Sequence, residues 1–430
     1  DHRDLHSFPT RRSSDLTVFQ NLVERTEETL SENPLQVLQT YIRKYTVAEA
    51  AAGPFYDSGF FGYLGYDSIR HIERLPEKAE DDLQVPDFHL FIPQRIIVFD
   101  NLLNRLTILH FISPTGQAEQ DYLHAIEELK KVEWQILHGE RPTGACTTPE
   151  QQSDTSTNMN RDQFEEIVRQ AQAHIRRGDI FQVVLSRRIQ RKTLAPALDI
   201  YRALRVVNPS PYMFFIEMGS DILLGSSPET LVKLEDGRVT VKPIAGTRRR
   251  GSSEREDDQL IQELLADPKE RAEHTMLVDL GRNDIGRVCE YGSVQVEELM
   301  AIEKYSHVIH IVSTVTGRLR PGLDSVDVYR AAFPAGTVSG APKVRAMEII
   351  EDLEPTRRGL YAGAVGYFSF NGNMDVCIAI RTIWIRGQET MIQTGAGIVA
   401  DSVPASEYEE TQNKARGLLR AIEYAEEGLS

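Results

Sequence analysis

Two dipeptides constrain this chain more than any other feature. Asp236-Gly237 lies between "TLVKLE" and "RVTVKPI", and Asn371-Gly372 between "AGAVGYFSF" and "NMDVCIAI". Asp-Gly and Asn-Gly accept the left-handed backbone of a tight hairpin turn, so each pair of flanking runs is predicted to form antiparallel strands. "IFQVVLSRRI", "DILLGSS" and "ETMIQTGAGIVA" read as further strands, and "PDFHLFIPQRIIVFDNLLNRLTILHFI" as strands joined by an Asp-Asn turn. Helices are expected between them, at roughly 254–266, 268–280, 342–352 and 404–427. Asn160 can cap another, whose apolar stripe is Phe164, Ile167, Val168, Ala171 and Ile175 and which Gly178 stops. "QDYLHAIEELKKVEWQIL" predicts one more, with Leu123, Ile126, Leu129 and Val132 on its inner face. Hairpins with interspersed helices argue an α+β fold of mainly antiparallel sheet, without the regular alternation of a dinucleotide-binding fold.

The net charge of −16 over 430 residues argues against a nucleic-acid partner, which would need clustered Lys and Arg. No run of 18 apolar residues occurs, so no membrane partner is expected. Cys146, Cys289 and Cys377 are scattered with no CxxC spacing, which suits a reducing cytoplasm and disfavours disulfides or a thiolate metal site.

The first sixteen residues, "DHRDLHSFPTRRSSDL", follow no helix or strand period. They lack the apolar core of a secretory signal, and Asp1, Asp4 and Asp15 disfavour a presequence or a basic arm. Residues 4–16 resemble a translated sequencing-library adapter. The expectation is that 1–16 is a non-native scar, to be excluded from the fold, and that 17–141 is a truncated N-terminal region. "PTGACTTPEQQSDTSTNMN", 142–160, reads as a linker or surface loop, and 161–430 as the catalytic domain.

Several motifs carry chemistry. Glu407 and Glu410 in "SEYEETQNKA" are three apart on a helix, hence on one face, with Lys414 a turn further. Glu273 lies on a helix that Pro268 opens. Such carboxylates either form a solvated acidic face or hold a cation, and Mg²⁺ suits one or two carboxylates plus substrate oxygens. "FPAGTVSGAPKVRAMEII" brings Gly336, Thr337, Ser339 and Gly340 to a helix start. That is either an ordinary capped entry or an anion cradle of backbone N–H groups. Gly395 and Gly397 in "IQTGAGIVADS" read as a second cradle. Arg381 falls within the apolar strand "CIAIRTI", where a carboxylate partner is expected. His310 in "HVIHIVST" is as consistent with a satisfied core histidine. Together these suggest an anionic, dicarboxylate ligand.

"PIAGTRRRG", "AEHTMLVDLGRNDIGRV", "FPAGTVSGAPKVRAMEII", "GAGIVADS" and "EETQNKA", in that order, resemble the chorismate-utilising enzymes, and most closely the anthranilate synthase component I family. "SGFFGYLGYD" (58–67) matches the N-terminal half of the same family. The resemblance spans about 17–430 and implies two interwoven lobes of antiparallel sheet surrounded by helices, with the site between them.

It also implies roles. Glu273 and Glu410 would ligate Mg²⁺, with Glu407 in the adjacent shell. Arg381, Tyr361, Lys414 and the backbone at Gly397, beside Gly395, would hold the chorismate carboxylates, and Thr247 and Thr337 would line the site. Glu229 of "SSPET" would protonate the departing C4 hydroxyl, which requires a carboxyl kept protonated near neutrality by burial or a like charge. His310 would play a supporting role. Relatives that add water carry Lys where this chain has Gln182, and aminodeoxychorismate synthases usually carry Lys in the motif that here reads "PIAGT", with Ala245. The remaining reaction is ammonia attack giving anthranilate and pyruvate, the first step of tryptophan biosynthesis. The alternative is aminodeoxychorismate synthesis. Ammonia would come from a separate glutamine amidotransferase. Tryptophan would be the feedback inhibitor of the intact protein, in a pocket retained here as Asn208, Pro209, Ser210, Pro211, Tyr212 and Met213. The pocket's other wall, a Leu-Glu-Ser segment, is not found ahead of "SGFFGYLGYD", so this chain is expected to be insensitive to tryptophan.

Overall fold

The computed structural model describes residues 6–11, 16–21, 26–45, 58–112, 116–139, 155–305 and 308–429. Both diagnostic hairpins form as their turns require. Thr230–Glu235 pairs with Arg238–Val241 across Asp236 (φ 50°) and Gly237 (φ 78°). Ala364–Ser369 pairs with Met374–Ile378 across Gly372 (φ 96°). Every ladder between named strands is antiparallel.

The strands form a 12-stranded sheet, a 7-stranded sheet and a separate hairpin, Arg95–Asp100 with Arg105–His110. In the larger sheet Gly59–Leu64 pairs with Ala364–Ser369, so early and late segments share one sheet and the lobes are interwoven. The smaller sheet centres on Gln182–Lys192, which pairs along its length with Glu389–Ile398. Helix Arg161–Arg176 begins with an Asn160–Gln163 capping box and buries Phe164, Val168 and Ala171 completely against this sheet's cluster. Burying a large apolar side chain is worth about 1.5–3 kcal/mol, so that stripe secures the helix. Helices Glu254–Ala266, Pro268–Gly286, Lys343–Leu353 and Pro404–Glu426 lie where expected. The second runs six residues further than its sequence pattern indicates. No helix among the described residues is long and apolar enough to cross a membrane.

Three expectations need correction. Helix Ala118–His138 turns Ala125 and Val132 inward, while Leu123 is 55% exposed. It rests on a two-stranded hairpin too small to cover the whole stripe. The described end of the expected linker is ordered: Thr155–Thr157 pairs with Gln182–Lys192, and the Asn158 side chain accepts the Arg188 N–H. Cys146 and the remainder of the linker up to 154 lie outside the described residues. Finally, His6–Arg11, excluded from the fold on the sequence, is a strand between Leu16–Asn21 and Phe88–Ile92. Main-chain pairing is open to any extended segment, so this placement does not bear on the stretch's origin.

Candidate active site

Two places where the chain passes from one sheet to the other form one end of the site. Asp221–Ser227 belongs to the smaller sheet and Thr230–Glu235 to the larger, and Glu229 lies in the step between them. Met374–Ile378 belongs to the larger sheet and Thr382–Arg386 to the smaller, and Arg381 lies in that step. Main-chain bonds tie the two crossings together: Ile378 N–H donates to Glu229 O (3.0 Å) and Ser226 N–H to Arg381 O (3.1 Å). Arg381 is therefore not inside a strand as the sequence suggests. Its φ of 51° marks a sharp turn that lifts it out of the ladder.

Glu229 is 8% exposed, and burial pushes its carboxyl up to about 7. The Thr337 hydroxyl, which donates to Glu229 Oε1 (2.9 Å), works in the opposite sense, as do the charges of Arg381 and Lys414. Burial wins, and no like charge is needed. Desolvation lowers the Arg381 pKa, and Tyr361, Glu410 and Glu229 counter it. No described carboxylate pairs directly with its guanidinium, contrary to the expectation. Its charge is shared among these groups.

His310, on Val308–Arg318, stands opposite Thr247 in the neighbouring strand. Its Nδ1 lies 3.2 Å from Gly246 O and 3.1 Å from Thr247 Oγ1. A carbonyl only accepts, so Nδ1 carries the proton and Nε2 keeps its lone pair. Burial holds the ring below its ordinary pKa, so it is neutral near pH 7.

The other end of the site is built on helices. Pro268–Gly286 starts with Asp267 accepting the N–H groups of Lys269 and Glu270, and it carries Glu273. Pro404–Glu426 carries Glu407 in its first turn, then Glu410 and Lys414. Glu273 is held above the ordinary carboxylate range, by burial first, with Glu270 and Glu410 pushing the same way. Glu407 is raised by burial and by Glu410. Glu273 and Glu407 thus each feel the charge of Glu410, yet each of the three acids is drawn to another group. Gln182 Nε2 donates to Glu273 Oε1 (3.2 Å), Lys414 Nζ pairs with Glu410 Oε1 (2.6 Å), and the Ser402 hydroxyl steadies Glu407. Among the described residues, accordingly, no three acids converge into a ready metal cage.

Neither glycine loop is an open anion cradle. Gly336–Val338 is a single tight helical turn, and Gly340–Ala341 pairs with Val183 and Gln182. Gly395 and Gly397 are regular strand residues opposite Ser186 and Val184. Their missing side chains leave room instead. A Cβ at Gly395 would lie 2.7 Å from Tyr361 Oη, and one at Gly397 would lie 2.7 Å from Gln182 Nε2. Lys414 Nζ also donates to Gly395 O (2.9 Å), which brings Tyr361, Gly395, Lys414 and Arg381 to one wall. Asn208–Met213 links helix Ala197–Val207 to strand Tyr212–Met218; Asn208 O accepts the Ser226 hydroxyl, and Tyr212 Oη donates to Asp375 (2.8 Å). The sequence reading missed Glu270, Lys269 and Ser402, whose fields reach the acids. Glu270 and Lys269 are legible only as neighbours of Glu273 on its helix.

The chain matches the family of chorismate binding enzymes over residues 9–420 and belongs to it. It is 47% identical over 400 residues to anthranilate synthase component 1 of Acetivibrio thermocellus, covering 92% of this chain and 81% of that protein. The crystal structure of anthranilate synthase component I from Streptococcus pneumoniae TIGR4 superposes with a TM-score of 0.85 at 37% identity, covering 97% of this chain and 90% of that one. A menaquinone-specific isochorismate synthase from Escherichia coli shares the fold alone, with a TM-score of 0.71 at 21% identity over 97% of this chain and 88% of that one. Within the family, anthranilate synthase component 1 is the branch to which the sequence points, which favours it over the aminodeoxychorismate alternative.

Proposed function

We propose that this chain converts chorismate and ammonia to anthranilate, pyruvate and water. The observation that carries the reading is Glu229: a buried carboxyl protonated near neutrality, fixed by Thr337 and faced by Arg381 and Lys414. Arg381, Lys414, Tyr361 and the backbone at Gly397 hold the two substrate carboxylates. Ammonia attacks C2, the ring double bonds shift, and the C4 hydroxyl leaves as water with the proton of Glu229. Loss of the C2 proton and cleavage of the enolpyruvyl C3–O bond then release pyruvate and leave the aromatic ring. Gln182 cannot act as a base toward water, because an amide has no proton-accepting nitrogen, and its Nε2 is spent on Glu273. Neutral His310 supports the substrate beside Thr247.

The donor set also fits Mg²⁺: hard oxygens, with Glu273 and Glu407 raised partly by Glu410. Glu273 and Glu410 would hold it, with Glu407 adjacent, after turning from their present partners. When bound, it supplies positive charge to polarise the substrate's ring carboxylate. Ammonia reaches the chain from a glutamine amidotransferase, component II, in the reducing cytoplasm. Tryptophan is the proposed feedback ligand of the intact protein, at Asn208–Met213.

The test is product analysis with the purified chain, chorismate and Mg²⁺. Ammonium salt should yield fluorescent anthranilate of the expected mass, and glutamine should yield none until the amidotransferase is added. A product that retains the pyruvyl carbons, or one with added water, would overturn the reading.

A further inference from the structure

Thr337, the only described side chain that hydrogen-bonds the Glu229 carboxyl, sits on a segment pinned from both sides by ion pairs, one buried and one largely buried. Before it, Lys343 Nζ donates to Ala332 O (3.1 Å) and pairs with Asp284 Oδ2 (2.8 Å), each side chain 13% exposed. After it, Arg358 donates from one terminal nitrogen to Val338 O (2.7 Å) and from the other to Val184 O (2.7 Å). Its Nε and second terminal nitrogen grip Glu354 (2.9 and 2.6 Å), in a pair 1% and 3% exposed. Glu354 Oε1 in turn accepts the N–H and hydroxyl of Ser186.

Ion pairs withdrawn from water seldom add net stability over apolar packing, so two of them bracketing one short segment call for another reason. A small cavity of about 40 Å³ supplies it. Glu229, Gly336, Thr337, Leu280 and Asp284 are among its walls, so an unanchored segment has room to shift. The direction of the Thr337 bond matters chemically. With its hydroxyl donating to Oε1, the acid's transferable proton is left to Oε2.

We propose that Lys343–Asp284 and Arg358–Glu354 are positioning residues, which hold Thr337 against Oε1 and thereby keep the acid's proton on Oε2, aimed at the substrate. The inference rests on the reading of Glu229 as the acid. The charged groups that face Glu229 directly are Arg381 and Lys414. The two pairs act on it only through the segment.

A double-mutant cycle in the anthranilate assay tests this. Thr337→Val should lower kcat about 10–100-fold, and Lys343→Met about tenfold, each with chorismate KM within about threefold. In the Thr337→Val background, Lys343→Met should cost less than about twofold more, because the group it acts through is gone. Lys343→Arg should recover most of the lost kcat. Additive losses, or a rise in KM with kcat intact, would overturn the proposal, since general loosening of the fold does not depend on Thr337. If Lys343→Met does not fold, Arg358→Lys carries the same cycle, with the same expected coupling. Glu229→Gln in parallel separates the two ideas: retained turnover there removes the acid itself, whereas additivity beside an inactive Glu229→Gln removes only the positioning role.

Discussion

Glu229 and Arg381 are held where the chain steps between two sheets, by main-chain hydrogen bonds from one crossing to the other, whereas Glu273, Glu407 and Glu410 hang from two helices by flexible side chains. The first end is already organised: the Thr337 hydroxyl is on Glu229, the charges of Arg381 and Lys414 face it, and burial raises its pKa. The second end is held in check by substitutes, with Lys414, Gln182 and Ser402 each occupying an acid that a divalent cation would draw away. A group that must deliver one proton along one line benefits from rigid backbone. A group that must admit and release a charged ligand benefits from side chains that can turn.

The strongest test of this contrast is Glu229→Gln, which keeps the shape and removes the proton. Turnover should fall about 10²–10⁴-fold, with little change in chorismate KM. The kcat/KM of the native chain should fall as pH rises through about 7, and loss of the acid should abolish that fall. A loss below threefold would mean that the rigid end is not the proton donor.

Glu410→Gln should act differently. The Mg²⁺ concentration needed for half-maximal turnover should rise about 10–100-fold, with partial recovery at saturating metal. Mg²⁺ should raise the native protein's melting temperature, and the variant should lose most of that response. An unchanged metal requirement in both measurements would show that the helical end is not the metal site.

The smallest effect concerns stability. Glu229 is raised from its ordinary 4.5 to about 7, so the folded chain binds that proton more tightly than the unfolded chain does. Its ionisation therefore costs stability progressively as pH climbs from about 4.5 to about 7, and the full cost applies above. Glu229→Gln should stabilise the protein at pH 8 by about 1–3 kcal/mol and leave it unchanged at pH 4. Urea midpoints at the two pH values measure it, and equal shifts at both would show that the gain has nothing to do with the buried charge.

The helical end was largely legible. Three-residue spacing places Glu407 and Glu410 on one face wherever a helix forms, and Pro268 and Pro404 mark where the two helices start. The turn dipeptides were equally explicit about the antiparallel hairpins. The helix on 118–138 was misjudged because an apolar stripe records only what a helix offers, and the small hairpin beneath it covers part of that offer.

By itself, then, the sequence determined the elements, their antiparallel order and the two acidic helices, because these depend on residues a few positions apart. Only the tertiary structure decided the rest. It showed that Arg381 leaves its strand, that the glycines at 395 and 397 are strand residues whose missing side chains make room for Tyr361 and Gln182, and that Thr337 meets Glu229, 108 positions away in the chain. It also decided that burial raises the Glu229 carboxyl to about 7. A carboxyl's pKa depends on what surrounds it in space, and here that surrounding is assembled from two sheets whose strands come from both halves of the chain.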